Sequence, residues 1–241
     1  MSLSLADKNE ILTVELSDGL WHIERGADIE TLWQAMDEDD LDADERIPYW
    51  VEIWPAAIAL GNWLLQNQNI LRGKYCLDIG CGLGLTALAA TKAGAKVVGF
   101  DYAKEALGFA QKNAARNQQP QPFWLQMDWR QPAFQPSSFQ FIWGADILYE
   151  RRFALPICAL LDLCLAPAGE IWLAQPRRGV STEIREFLQS RDWQVTELET
   201  VNIKWPQQIT AIKLILKPHK TGSAHAHLVK DLSAKDGPAS D

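Results

Sequence analysis

The sequence predicts an α/β fold with a doubly wound, mostly parallel seven-stranded sheet that ends in an antiparallel hairpin. Three observations predict it. From Lys74 onward, apolar runs of strand length alternate with helical patterns, as βαβ units do when a parallel sheet is covered on both faces. The first of these runs opens directly into a glycine-rich turn, LDIGCGLGLTAL at 77–88, which leads into a helix. Near the end the style changes: WQVTELETVNI and QITAIKLILK are joined only by KWPQ, and strands joined so tightly must run antiparallel.

In chain order, residues 1–20 lack a basic start followed by an apolar core and do not read as a signal peptide. Residues 20–36 end in a short amphipathic helical pattern, with Ile29, Leu32, Trp33 and Met36 spaced to share a face. The acidic run DEDDLDADE at 37–45 reads either as a solvated loop or as a rim that attracts a cationic substrate. The alternation follows: KYCLDI leads to LTALAATKAG, KVVGF to AKEALGFAQKNAARN, and PFWLQ to FQFIWGA. RRFALPICALLDLCL then leads to EIWLA and STEIREFLQS. Residues 1–45 are thus expected to be an N-terminal extension and 46–217 a single catalytic-type domain; 218–241, small, polar and aperiodic, are expected to be a disordered tail.

Composition narrows the function. With 241 residues and 47% hydrophobic content the chain can bury one sizeable core, and a net charge of −8 argues against partners made of nucleic acid or anionic lipid. No stretch reaches the roughly 20 apolar residues of a membrane span. The four cysteines (Cys76, Cys81, Cys158, Cys164) form no CxxC pair, which suits reduced thiols and a cytoplasmic setting. Between Ile23 and Pro218 there is no histidine, which disfavours Ser-His or Cys-His chemistry and a histidine-held catalytic metal; no metal is expected.

The glycine turn carries the chemistry. Gly80, Gly82 and Gly84 permit close approach of backbone to a ligand, with Cys81 between them. A dinucleotide GxGxxG would need glycine where Leu85 stands, and no P-loop lysine follows. Asp78 would repel a pyrophosphate but suits a cationic ligand such as the amino group and sulfonium of S-adenosylmethionine (SAM). Asp101, in GFDY with Tyr102 beside it, ends the second strand about 20 residues later, the distance at which an acid accepts hydrogen bonds from a ribose diol. Asp128 in QMDWR follows the third strand and could face an adenine amine, with Trp129 stacking on the ring. Three acids at successive strand ends share the edge where open α/β sheets bind ligands.

These residues resemble the class I, seven-strand SAM-dependent methyltransferases, with their Rossmann-like fold, and within them the family-16 group that contains many protein-lysine methyltransferases. The resemblance covers roughly Pro48 to Lys217. EIWPAAIAL at 52–60 resembles the family's Trp-Pro segment and implies that Trp54 helps hold SAM. GADILY at 144–149 resembles its D-x-x-Y motif, implying that Ala145 contacts the cofactor and that Asp146 and Tyr149 line the acceptor side as catalytic residues. Trp129 inherits a cofactor contact in the same way. The implied reaction is N-methylation of a protein lysine, with S-adenosylhomocysteine as the other product and a monomer as the default state. Methylation of a small amine, or a SAM-binding module without catalysis, are the alternatives. A nucleic-acid amine methylase fits less well, because Asp-Ile-Leu-Tyr stands where Asn/Asp-Pro-Pro-aromatic would be. The block up to DERIPYW and the segment AQPRRGVSTE have no counterpart in a member of assigned substrate.

Overall fold

The apolar run of KYCLDI becomes β3 (Tyr75–Ile79), buried from Cys76 onward and central in the sheet. On one side it pairs in parallel with β4 (Lys96–Asp101), and β4 with β5 (Phe123–Gln126). On the other it pairs in parallel with β6 (Phe139–Ala145), and β6 with β7 (Leu165–Pro176). β9 (Ile209–Leu216) joins β7 antiparallel, and β8 (Trp193–Val201) pairs antiparallel with β9 at the edge. The order β5-β4-β3-β6-β7-β9-β8 is therefore the mostly parallel seven-stranded sheet with a terminal hairpin that the alternation predicts. The computed structural model describes residues 9–34, 48–176, 193–201 and 209–216. The acidic run 37–45, the pattern STEIREFLQS and the tail 218–241 lie outside them.

This order positions the site. The chain builds outward from β3 to β5, then returns to the other side of β3 with β6, so the strand order reverses between β3 and β6. The crevice at the carboxyl ends of these two strands is where such sheets bind ligands.

Helices α4 (Leu85–Lys92) and α5 (Lys104–Arg116) follow β3 and β4, and α2 (Pro55–Gln66) packs against α4. Pro55 stands at the first helical position of α2, where its missing N–H costs nothing. Trp143 and Trp172, both almost wholly buried, pack with α2 residues Leu60 and Leu64. On the opposite face Ile142, Ile171 and Leu173 pack with α6 (Ala154–Cys164). Two short helices complete the described set: α1 (Ile29–Gln34), within the predicted helical pattern, and the single turn α3 (Gln68–Leu71).

The N-terminal extension holds, besides the expected short helix, an element that its sequence pattern did not announce. Before α1 it forms an antiparallel hairpin, β1 (Glu10–Leu16) and β2 (Gly19–Arg25), a separate two-stranded sheet. Val14, Leu16, Trp21 and Ile23 bury themselves against Leu85, Leu88 and Phe109, because an isolated hairpin cannot shield its own apolar face. Two asparagines one helical turn apart, Asn113 in α5 and Asn117 at its C-cap, complete the open edge of β2. Asn113 accepts from Glu24 N at 2.7 Å and donates to Glu24 O at 3.1 Å, while Asn117 does the same with His22 at 2.9 and 2.8 Å. Their amides stand in for a third strand.

Candidate active site

The loop from β3 to α4 turns through three left-handed glycines, Gly80, Gly82 and Gly84. Their reasons differ. Gly82 lines a cavity at the carboxyl edge of the sheet, and a Cβ there would lie 3.2 Å from the carbonyl oxygen of Trp50. Gly80 and Cys81 line the same cavity. Gly84 does not: a Cβ at its φ of +90° would sit 2.9 Å from both Ala110 Cβ and the Trp124 ring, so this glycine serves the packing of α4 on α5. The Cys81 thiol is pushed well above its ordinary pKa by burial and by Asp101 and Asp78, so it is no nucleophile at neutral pH.

Asp78 also stands behind the cavity rather than in its wall. It is 1% exposed and accepts a 2.6 Å hydrogen bond from the hydroxyl of Thr86, which does line the cavity. Burial pushes Asp78 up to about 7, opposed by the Thr86 hydrogen bond and assisted by the like charge of Asp101. Asp101, at the end of β4, lines the cavity and ties it to the glycine loop: Oδ2 accepts from Gly82 N at 2.8 Å and Oδ1 from Ala103 N at 3.0 Å. Burial raises its pKa, with the Ala103 and Gly82 N–H groups opposing. Tyr102 beside it is exposed and on the rim.

After β5, Asp128 and Trp129 reach the same cavity. Asp128 is held by Arg130, whose main-chain N and Nε donate to Oδ1 at 2.8 and 3.0 Å. Partial burial would raise its pKa, but the hydrogen bonds and charge of Arg130 outweigh burial and lower it. The Trp129 ring meets Phe153 edge-on at 5.0 Å, and its buried indole N–H has no hydrogen-bond partner among the described residues.

At the end of β6, Ala145, Asp146 and Tyr149 complete the wall. Asp146 is 8% exposed and takes a left-handed φ of 54°, with its main-chain N donating to Ala174 O at 2.8 Å. The strand pairing of Ala145 with Ala174 thus continues one residue further, and fixes where the carboxylate starts. Asp146 does not cap a helix, since the next helical turn begins only at Arg151. Tyr149 is anchored by an edge-on contact with Phe153 at 5.4 Å.

Trp54 lines the cavity from the α2 side, its Nε1 donating to Tyr49 O at 2.9 Å. Sequence reasoning passed over its neighbours Tyr49, Trp50, Glu52 and Ile53, which are cavity residues too. The aromatic pair directly before the Trp-Pro segment was the available signal. Tyr49 reaches across to Tyr149, their rings 5.1 Å apart, joining the wall beside α2 to the wall after β6. The cavity therefore gathers three strand-end acids, a glycine cradle and aromatic faces around one space, a set that fits the sulfonium, ribose and adenine of SAM.

Comparison with known proteins agrees. Residues 76–157 match the sequence profile of the methyltransferase domain. The electron transfer flavoprotein beta subunit lysine methyltransferase of Rattus norvegicus is 50% identical over 48 residues, 20% of this chain and 19% of that protein. The protein N-lysine methyltransferase METTL21A of Mus musculus is 34% identical over 46% of this chain and 54% of its own length. The histone-arginine methyltransferase METTL23 of Rattus norvegicus is 26% identical over 70% of this chain and 72% of its own. The chain thus spans about a fifth of the first relative's length and about half of the second's. Among solved structures, the 16S rRNA N2 G1207 methyltransferase RsmC of T. thermophilus, in complex with AdoMet and guanosine, shares the fold at a TM-score of 0.61 and 16% identity, over 90% of this chain and 52% of that one. Strand order, glycine loop and profile point the same way: residues 76–157 match a methyltransferase domain, and the chain is similar to class I methyltransferases of the family-16 type.

Proposed function

We propose that this protein transfers a methyl group from SAM to a lysine side chain of another protein, in a reducing, cytoplasmic setting. The observation that carries the reading is that Asp146 and Tyr149 share one cavity with the glycine loop and Asp101. Two relatives named as lysine methyltransferases support the acceptor. The four free, buried cysteines suit the compartment.

When bound, SAM would supply an electrophilic methyl on a sulfonium, open to in-line attack by an amine with the thioether S-adenosylhomocysteine as leaving group and no covalent enzyme intermediate. Gly82 N–H holds the Asp101 carboxylate, whose remaining lone pairs accept the ribose hydroxyls. Asp128, already held by Arg130, offers an oxygen to the adenine amine, and Trp129 covers the ring. On the acceptor side Asp146 captures the arriving ammonium. A lysine amine with pKa about 10.4 costs about 4–5 kcal/mol to present neutral at pH 7. The donor's positive charge lowers that cost and Asp146 raises it, so Asp146 serves to orient the amine, with its proton lost to water before attack. Tyr149 walls the channel with its ring.

Radiolabelled SAM incubated with the purified protein and a cell extract tests the reading. Label in a protease-sensitive band, recovered as methyl-lysine after acid hydrolysis, supports it. Label in methyl-arginine would move the acceptor to the class named for METTL23, and label only in the low-mass fraction to a small amine. Asp146→Asn should cut turnover by about 100-fold while SAM affinity changes only a few-fold; unchanged turnover would remove Asp146 from the acceptor site.

A further inference from the structure

We propose that Arg25, in the N-terminal hairpin and outside the cavity, is a positioning residue for the donor pocket that acts through Glu52. The inference rests on the donor reading above. Arg25 ends β2 and is 8% exposed. Its Nε and Nη2 donate to Glu10 Oε2 at 3.0 and 2.8 Å, and its Nη1 donates to Glu52 Oε1. The same Glu52 oxygen accepts from Ile29 N at 3.1 Å. One carboxylate oxygen therefore joins the hairpin, the start of α1 and the cavity, because Glu52 itself lines it.

What Glu52 holds is the wall. Ile53 and Trp54 follow it directly and line the cavity, while Val51 before it is wholly buried. Trp54 Nε1 ties the segment back onto Tyr49 O, so its internal shape is set locally. Its placement against the glycine loop is set from outside, by the Arg25–Glu52 pair. The hairpin is itself referenced to that loop, since Asn113 bonds both Glu24 O and Leu83 O. Arg25 thus relays one frame to both sides of the donor pocket. A guanidinium suits the task because its planar fork serves two carboxylates at once, which an ammonium on a flexible stem does less well.

Charge and position make opposite predictions. If Arg25 acted only through its charge, its loss would favour a cationic donor. If it acts by placing Glu52, its loss weakens the donor. Calorimetric SAM titrations and thermal melts of the full chain and of Arg25→Met, Arg25→Lys, Glu52→Gln and Glu10→Gln separate these. Arg25→Met and Glu52→Gln should each raise the SAM dissociation constant about tenfold or more, with Arg25→Lys recovering part of the loss. Glu10→Gln takes a partner from the same guanidinium without touching the cavity, so it should lower the melting temperature and leave SAM affinity within about twofold. Glu52→Gln keeps an oxygen for Ile29 N. If Arg25→Met does not fold, Arg25→Lys carries the test, with weakening of several-fold expected. Unchanged or tighter binding in the Arg25 variants, or an equal loss in Glu10→Gln, would overturn the proposal while the donor reading stands. No binding by the unaltered protein would overturn both.

Discussion

Asp78 should make the folded protein less stable as pH rises through neutrality, and Asp78→Asn should remove that cost. The carboxyl is 1% exposed, and burial lifts it from 3.8 to about 7. Because the folded-state pKa is raised, folding binds a proton: the full stability is present below pH 3.8 and is lost progressively as pH climbs through the window to about 7. A rise of that size corresponds to about 4 kcal/mol in total, of which about 2–3 kcal/mol falls between pH 5 and 8. Asparagine keeps an oxygen for the Thr86 hydroxyl but brings an amide N–H₂ that needs its own partner, at about 1–3 kcal/mol at every pH. The absolute stability of Asp78→Asn is therefore less informative than its slope. Urea denaturation of both proteins at pH 5, 6, 7 and 8 measures the difference, in which titrations common to both cancel. The variant should gain on the parent by about 2–3 kcal/mol across that range. A flat difference would refute the raised pKa, because an Asp78 ionised in both folded and unfolded chains gives no slope between pH 5 and 8, and would mean that the Thr86 hydrogen bond outweighs burial.

Other expectations follow from the same geometry. Gly84→Ala should lower stability by about 3 kcal/mol, from the left-handed φ and the 2.9 Å approach to Ala110 and Trp124, read as a drop in the urea midpoint; SAM affinity of the folded fraction should stay within a few-fold, because Gly84 does not line the cavity. Asn113→Ala strips partners from Glu24 N, Glu24 O and Leu83 O together and should cost about 2–4 kcal/mol by denaturation. Asp101→Asn should weaken SAM by about tenfold or more in calorimetry, since one oxygen must be replaced by a donor that meets either Gly82 N or Ala103 N; an unchanged affinity would take Asp101 out of the donor site.

The sheet was legible in the residues because its signals are local. Largely apolar runs of strand length such as YCLDI and FQFIWGA suit strands buried on both faces, and the terminal hairpin was announced by a connection too short for a crossover. The place of the candidate site was legible for a topological reason: Asp101, Asp128 and Asp146 stand at or just past strand ends, and parallel strands deliver their ends to one edge. What could not be read was anything depending on which residues meet across the fold. ILTVELSDGLWHIE does alternate around an Asp-Gly turn, but its strand character needed α5 to receive it, and nothing in NAARN says that its asparagines will act as a strand.

The motif D-x-G-x-G-x-G shows the difference most clearly, because its members look equivalent in the sequence and are not. Gly80, Cys81 and Gly82 line the cavity; Asp78 and Gly84, at its two ends, do not. Gly84 is small because α5 and Trp124 crowd it, and Asp78 acts on the cavity through Thr86, eight residues on and at the second position of α4. The buried acid is costly to ionise, and the positive ligand that this site fits would reduce that cost. A donor bound near Thr86 should therefore draw Asp78 below about 7 and release a proton on binding, so that SAM affinity rises from pH 6 to pH 8. Calorimetric titrations in buffers of different ionisation enthalpy count that proton directly. Asp78→Asn should bind SAM more weakly and with no proton released; release that persists in the variant would assign the proton to another group and leave Asp78 a purely structural acid.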